Sequence, residues 1–162
     1  MTTARNAAYW LCKLYRERKS EGISEMVLHK LLYLSQRESL IANPESPLFP
    51  DSFEAWRFGP VMCEIRSNFN RIVNAGESEI EPLERTDEQA IRSAIERYAD
   101  KGAWSLVSLT HGETSWSNAR RGCVPDERCC NPITVDAIRI DAARIRERRR
   151  LIEDRRRVRG NI

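Results

Sequence analysis

Phe53-Glu54-Ala55-Trp56-Arg57-Phe58-Gly59-Pro60-Val61 places three aromatic rings within six residues and closes on Gly-Pro. Proline fixes φ and lacks an N–H, so Gly59-Pro60 reads as a turn that opens a helix at Pro60. Trp56 is expected to face the core from a short strand, and Phe58-Gly59-Pro60 to set the angle at which the next helix starts. Upstream, Pro44, Pro47 and Pro50 rule out regular helix and bring the chain extended into the aromatic run. Helix-like stretches lie on both sides.

On the N-terminal side, Ala7, Leu11 and Leu14 beside Ala8, Cys12 and Tyr15 recur at helical spacing over residues 3–19, and Gly22 should stop that helix. Ser24 is the expected N-cap of a second helix, whose Val27, Leu28, Leu31, Leu32, Leu34 and Ile41 form a stripe broad enough for the central core helix. On the C-terminal side, Val61, Ile65, Phe69 and Ile72 predict a third helix running from Pro60 to Asn74. The alternating Ser78-Glu79-Ile80-Glu81-Pro82-Leu83 has strand period and could pair with residues 53–56 as a two-stranded element. Thr86 with Gln89 resembles a capping box for a fourth helix carrying Ile91, Ala94, Ile95 and Tyr98, ended by Gly102. Short helices follow near residues 104–111 and 116–121. Thr134 should cap a long last helix, apolar at Val135, Ile138, Ala142 and Ile145 before the stripe fails at Arg149.

These elements give a mainly α chain: one compact helical domain over residues 1–133, with a short two-stranded β element, and a basic C-terminal helix over residues 134–162. The first half of that helix should dock and its Arg-rich second half project. The formal net charge of +3 is unevenly spread, since residues 139–159 hold ten arginines against Asp141, Glu147, Glu153 and Asp154. The rest of the chain is mildly acidic. A length of 162 residues suits one domain with a real core, and 41% hydrophobic with 31% charged is soluble composition. The apolar runs are far too short for a bilayer and the N-terminus has no signal core, so a cytoplasmic protein without membrane contact is expected. Five cysteines in such a chain argue for reduced thiols rather than a disulfide framework.

Chemistry-bearing motifs are scarce. A glycine-rich phosphate loop, a nucleophile elbow and a zinc-protease helix are all missing, which takes support from hydrolytic and nucleotide-dependent enzymes. His29 reads as a partly buried or surface histidine of the leucine helix. His111, beyond Leu109-Thr110 and near Trp116, fits either a loop-bonding imidazole packed on tryptophan or part of a binding site. Cys129 and Cys130 are adjacent and Cys123 lies six residues earlier, a poor match to paired tetrahedral zinc ligands, so no metal or other cofactor is expected. Arg139, Arg146, Arg150 and Arg157 stack along one helical face that could meet an acidic protein surface or a phosphate backbone. Glu153 to Arg157 and Arg150 to Asp154 could instead brace a solvated helix. No aromatic is interleaved after Trp116, which favours solvent or protein contact over nucleic acid.

Together, Leu28-His29-Lys30-Leu31-Leu32-Tyr33-Leu34-Ser35-Gln36, Pro47-Leu48-Phe49, the run from Phe53 to Val61, and Leu109-Thr110-His111 with Trp116 resemble the Panacea domain of SocA-like antitoxins over about residues 4–121. Lys30, Leu31, Tyr33, Gly59 and Pro60 belong to that structural signature. His29 stands where the family more often has Gln, Ser115 where Pro is common, and the Arg-rich end runs past the usual short C-terminal segment. The resemblance implies a bacterial or phage, chaperone-like, non-enzymatic domain that neutralises a cognate toxin encoded beside it by direct binding. It also leaves open a proteolytic adaptor that hands the toxin to an AAA+ protease, with the basic tail as second surface, or a phage or prophage regulator binding nucleic acid through the Arg stripe. The partner surface is expected beside Trp56, Phe58, His111 and Trp116, with Arg146 and Arg150 contributing from the last helix.

Overall fold

A computed structural model describes residues 1–160. The element order is α1 (Ala4–Lys19), α2 (Glu25–Ala42), β1 (Phe53–Trp56), β2 (Gly59–Val61), α3 (Cys63–Ser67), α4 (Phe69–Val73), a 3-10 turn (Glu77–Glu79), α5 (Arg85–Tyr98), α6 (Ala103–His111), α7 (Thr114–Ala119), β3 (Pro132–Ile133) and α8 (Val135–Gly160). The protein is therefore mainly helical with a small antiparallel sheet.

Helix α2 is the axis. Every residue from Val27 to Leu40 is buried, and α1, α5, α6 and α8 all pack on it. Ser24 caps it by accepting from the Val27 N–H, satisfying one orphan donor of the first turn. It ends at Ala42 because Asn43 precedes Pro44, whose ring disfavours the α conformation of the residue before it. Burying Leu28, Leu31, Leu32 and Leu34 completely contributes on the order of 1.5–3 kcal/mol each. Thr3 caps α1, and the left-handed Ser20 closes it two residues before Gly22.

The aromatic run forms a hairpin. Glu54 lies opposite Val61 and Trp56 opposite Gly59, while Phe53 pairs with Ile133 on the other edge, so the order is β2-β1-β3. Pro60 thus sits in a strand and does not open a helix. The following helix begins at Cys63 and breaks at Asn68, giving two short helices, α3 and α4, where periodicity predicted one. The expected strand at residues 78–83 is absent: Glu77–Glu79 make a 3-10 turn, and the partner of β1 comes instead from Pro132-Ile133. Sequence period could not show that pairing, because β3 is only two residues long and 76 or more residues downstream.

Four smaller expectations also change. Trp56 does not face the core; β1 alternates so that Phe53 and Ala55 point inward and Glu54 and Trp56 outward. Helix α5 starts at Arg85, one residue ahead of the expected Thr86 cap, with Glu84 at the N-cap, and its C-cap is Ala99 rather than Gly102. Cys123 and Cys129 are joined in a disulfide, while Cys12, Cys63 and Cys130 are free thiols. On α8, Arg150 pairs with Glu147 and not with Asp154. Thr134 does cap α8 by accepting from the Ala137 N–H. That helix buries Ile138, Asp141 and Ala142, and from Leu151 onward every described residue is exposed. No helix among the described residues is long and apolar enough to cross a membrane.

Candidate protein-binding surface

The hairpin is gripped by side chains from three helices. At its turn, Gly59 has φ +101°, and a Cβ there would come within 2.6 Å of Thr110 Oγ1 and 2.8 Å of Lys30 Cε, so only glycine fits. Lys30, buried on α2, donates from Nζ to the Pro60 carbonyl at 3.1 Å, and burial pushes its ammonium down to about 7. His29 is more deeply buried than its sequence position suggested. Its Nδ1 accepts the Met62 N–H at 3.3 Å, which places the ring proton on Nε2. Burial, with the neighbouring charges of Lys30 and Arg66, holds His29 down to about 3, hence neutral.

From the other side, three donors take three successive β1 and turn carbonyls. Arg120 donates to Ala55 at 2.9 Å, Trp116 Nε1 to Trp56 at 2.9 Å, and His111 Nε2 meets the Arg57 carbonyl at 3.0 Å. The His111 ring stacks on Trp116 with centroids 4.0 Å apart and planes 11° from parallel. Burial lowers the His111 pKa, which suits a neutral imidazole giving its proton to a carbonyl. His111 and Trp116 thus act on the hairpin's backbone.

The outer side chains of the hairpin take no part in this grip. Trp56 lies between the guanidiniums of Arg128 and Arg66, 3.9 and 4.9 Å from its ring centroid, and its Nε1 donates to Glu54 at 2.6 Å. That hydrogen bond is the main reason the Glu54 carboxyl sits below its usual range. Phe58 is exposed and meets the exposed Trp104 edge-on at 5.3 Å. Between α2 and the hairpin runs a groove of roughly 450 Å3 whose apolar wall is Met26, Trp56, Phe58 and Val61 and whose rim carries Arg57, Arg66 and Arg128.

Of the residues singled out in the sequence, Trp56 and Phe58 share this groove, His111 and Trp116 support it from behind, and Arg146 and Arg150 line no part of it. Arg146 donates to the Ile41 carbonyl at 2.7 Å and also to that of Leu40, closing the C-terminus of α2. Arg150 is exposed and paired only along its own helix. Leu31 is core, and Tyr33 Oη bonds Ser115 Oγ at 2.8 Å.

A second polar cluster was not singled out from sequence. The buried Arg37 pairs with Glu113 and donates to Tyr98 Oη at 2.7 Å; Tyr98 donates to Glu38 at 3.1 Å; Arg149 reaches the same Glu38 with two bonds of 2.7 and 2.8 Å. Burial raises Glu113. Burial also pushes Glu38 upward, but the bonds and charge of Arg149, with Arg37 and Arg97, outweigh it and leave Glu38 lowered. The available signal was Arg37-Glu38 standing inside the leucine stripe of α2, where a charge must be paired to be buried. Asp141 completes the set by accepting the Thr114 and Ser115 N–H groups at the start of α7. Among the described residues no group of three or more His, Cys, Asp or Glu side chains is arranged to hold a metal ion.

Comparison with known families gives one result: the model for a domain described as antitoxin SocA-like, Panacea domain, matches residues 28–117, more than half of the chain. No curated protein and no solved structure matches.

Proposed function

Because the chain belongs to the SocA-like antitoxin family, we propose that it neutralises a cognate toxin by binding it directly at the hairpin groove. The carrying observation is the exposed aromatic pair Phe58 and Trp104 beside the outward Trp56, on a hairpin whose backbone is held by Lys30, His111 and Trp116 from within the matched residues and by Arg120 and β3 from beyond them. Large aromatic side chains on a rigid support give contact area at low ordering cost, the usual character of an interface anchor. Trp56 and Phe58 would touch the partner, and His111 and Trp116 would keep the hairpin in place. Arg146 and Arg150 would bear on a partner only if it also reaches α8.

The test is co-expression with the product of the adjacent gene. Wild-type protein should relieve its toxicity and co-purify with it. Trp56→Ala should keep the wild-type melting temperature within a few degrees and lose rescue, since the ring is only half buried. A toxin unaffected by the wild-type protein overturns the proposal. The adaptor alternative is favoured by one observation, the fully exposed end of α8 beyond Arg150. In that case deleting residues 151–162 should lengthen the toxin's half-life in cells while leaving binding intact.

A further inference from the structure

The groove between α2 and the hairpin is apolar on its walls, yet the polar atoms it presents are mostly donors. His29 is 2% exposed, and its Nδ1 is already used as an acceptor for Met62, so the proton is on Nε2. That Nε2 is buried and has no hydrogen-bond partner, and His29 is one of the residues around the groove; the nearest carboxylate oxygen, on Glu25, is 3.7 Å away. An unmet buried N–H bears its desolvation cost with no bond in return, so an acceptor delivered to it would be held there. Lys30 next to it has three donor positions and a single acceptor, the Pro60 carbonyl.

Charge points the same way. Arg57, Arg66, Arg128 and Lys30 line the groove against only Glu25 and Asp126, although residues outside the C-terminal helix are acidic on balance. The three arginines are paired with Asp126, Glu25 and Glu54 at 3.3, 3.1 and 3.6 Å, and each arginine side chain remains at least half exposed. Exposed pairs of this kind are worth little and exchange readily for a better-placed carboxylate.

From this geometry we infer that the groove takes an extended protein segment carrying an Asp or Glu side chain beside a large apolar one. The apolar side chain would lie against Met26, Trp56 and Val61, and the carboxylate would reach His29 Nε2 and the Arg66 and Arg128 guanidiniums. This rests on the proposed partner binding and specifies its chemistry: the recognised stretch of the partner is acidic and hydrophobic together.

The probe is a pair of end-blocked hexapeptides, one with a single Asp flanked by Leu and Phe, the other with Asn in its place, titrated into the full-length protein with 15N-labelled His and Arg side chains. The Asp peptide should shift the His29 Nε2 and the Arg66 and Arg128 Nε signals, quench tryptophan emission, and bind at least tenfold more tightly than the Asn peptide. R66E/R128E, which changes only exposed side chains, should keep the melting temperature and lose that preference. Equal binding of the two peptides, no binding of either at millimolar concentration, or the same His29 shift from acetate alone would each overturn the inference. Its failure is separable from failure of the antitoxin reading. An R66E/R128E protein that still binds and neutralises the toxin removes the acidic-segment inference alone. A wild-type protein that binds the Asp peptide but not the toxin removes the antitoxin reading alone.

Discussion

Helices α2 and α8 both bring polar and charged side chains to the body of the protein, and they use them differently. On α2, His29, Lys30, Gln36 and Arg37 are fully buried, and each is committed to a specific loop or ion: the Met62 N–H, the Pro60 carbonyl, the Phe49 carbonyl and Glu113. Gln36 also accepts the Leu48 N–H at 2.7 Å, which is how Pro47-Leu48-Phe49 is tied to the helix. On α8 the arginines work at the edge. Arg146 and Arg149 reach inward to α2, whereas Arg150 and those beyond it stay in solvent. A buried polar group whose partner is removed keeps its desolvation cost, and an exposed one does not. The same residue type should therefore have very unequal value along the chain.

The sharpest test of that contrast is Arg37→Ala. It strands Glu113 and removes a partner of Tyr98 in the interior, so a loss of about 3–5 kcal/mol is expected in denaturant melts. Gly59→Ala comes next: the left-handed backbone costs about 1–3 kcal/mol, and the contact with Thr110 and Lys30 adds to it. Arg149→Ala, which frees a Glu38 that retains Arg37 and Arg97 nearby, should cost about 1–2 kcal/mol. Arg150→Ala should leave the melting temperature unchanged. An Arg150 variant as damaging as the Arg37 variant would break the comparison.

Acid provides a second axis. His29 titrates near 3 in the folded protein and near 6.5 when unfolded, so between those values the unfolded chain holds the extra proton. The contribution of His29 is then fully present above pH 6.5 and falls as pH drops toward 3, by at most about 1.4 kcal/mol per unit. Lys30 acts in the same direction at higher pH, its share being lost as pH falls from 10.5 to about 7. His29→Gln, which can still accept the Met62 N–H, should flatten the profile below pH 6.5. An unchanged slope there would mean that His29 does not titrate as its burial requires.

Much of this was legible in the sequence, and the reason is local. Helices α1, α2 and α8 announce themselves through apolar spacing, and α2 and α8 also through caps at Ser24 and Thr134, all properties of neighbouring residues. Fold class and family followed from the same stretches. What could not be read was set by distant pairing. Pro60 looked like a helix start because nothing nearby shows that its carbonyl is taken by Lys30. Trp56 looked like core because alternation alone does not say which face of β1 is covered; Phe53 and Ala55 take that role once Tyr33, Phe49 and Ile133 arrive. The Cys123–Cys129 bridge was missed because composition speaks to the compartment and not to which sulfurs meet. Within the candidate surface, Trp56, Phe58, His111 and Trp116 were visible as an aromatic and polar cluster, whereas Arg66, Arg120 and Arg128 were hidden among many surface arginines.

Strand β1 lies in the middle of its sheet, and the strand that covers its second edge lies beyond the family-matched residues, as do Arg149 and Asp141. During synthesis the ribosome therefore delivers the hairpin and α2 well before the pieces that seal them. Until residues 132–149 emerge, the nascent chain carries a bare hydrogen-bonding edge at Phe53-Glu54, a Glu38 without its forked guanidinium and an uncapped α7. A chain cut at residue 117 would keep these openings permanently and should be recovered as aggregate.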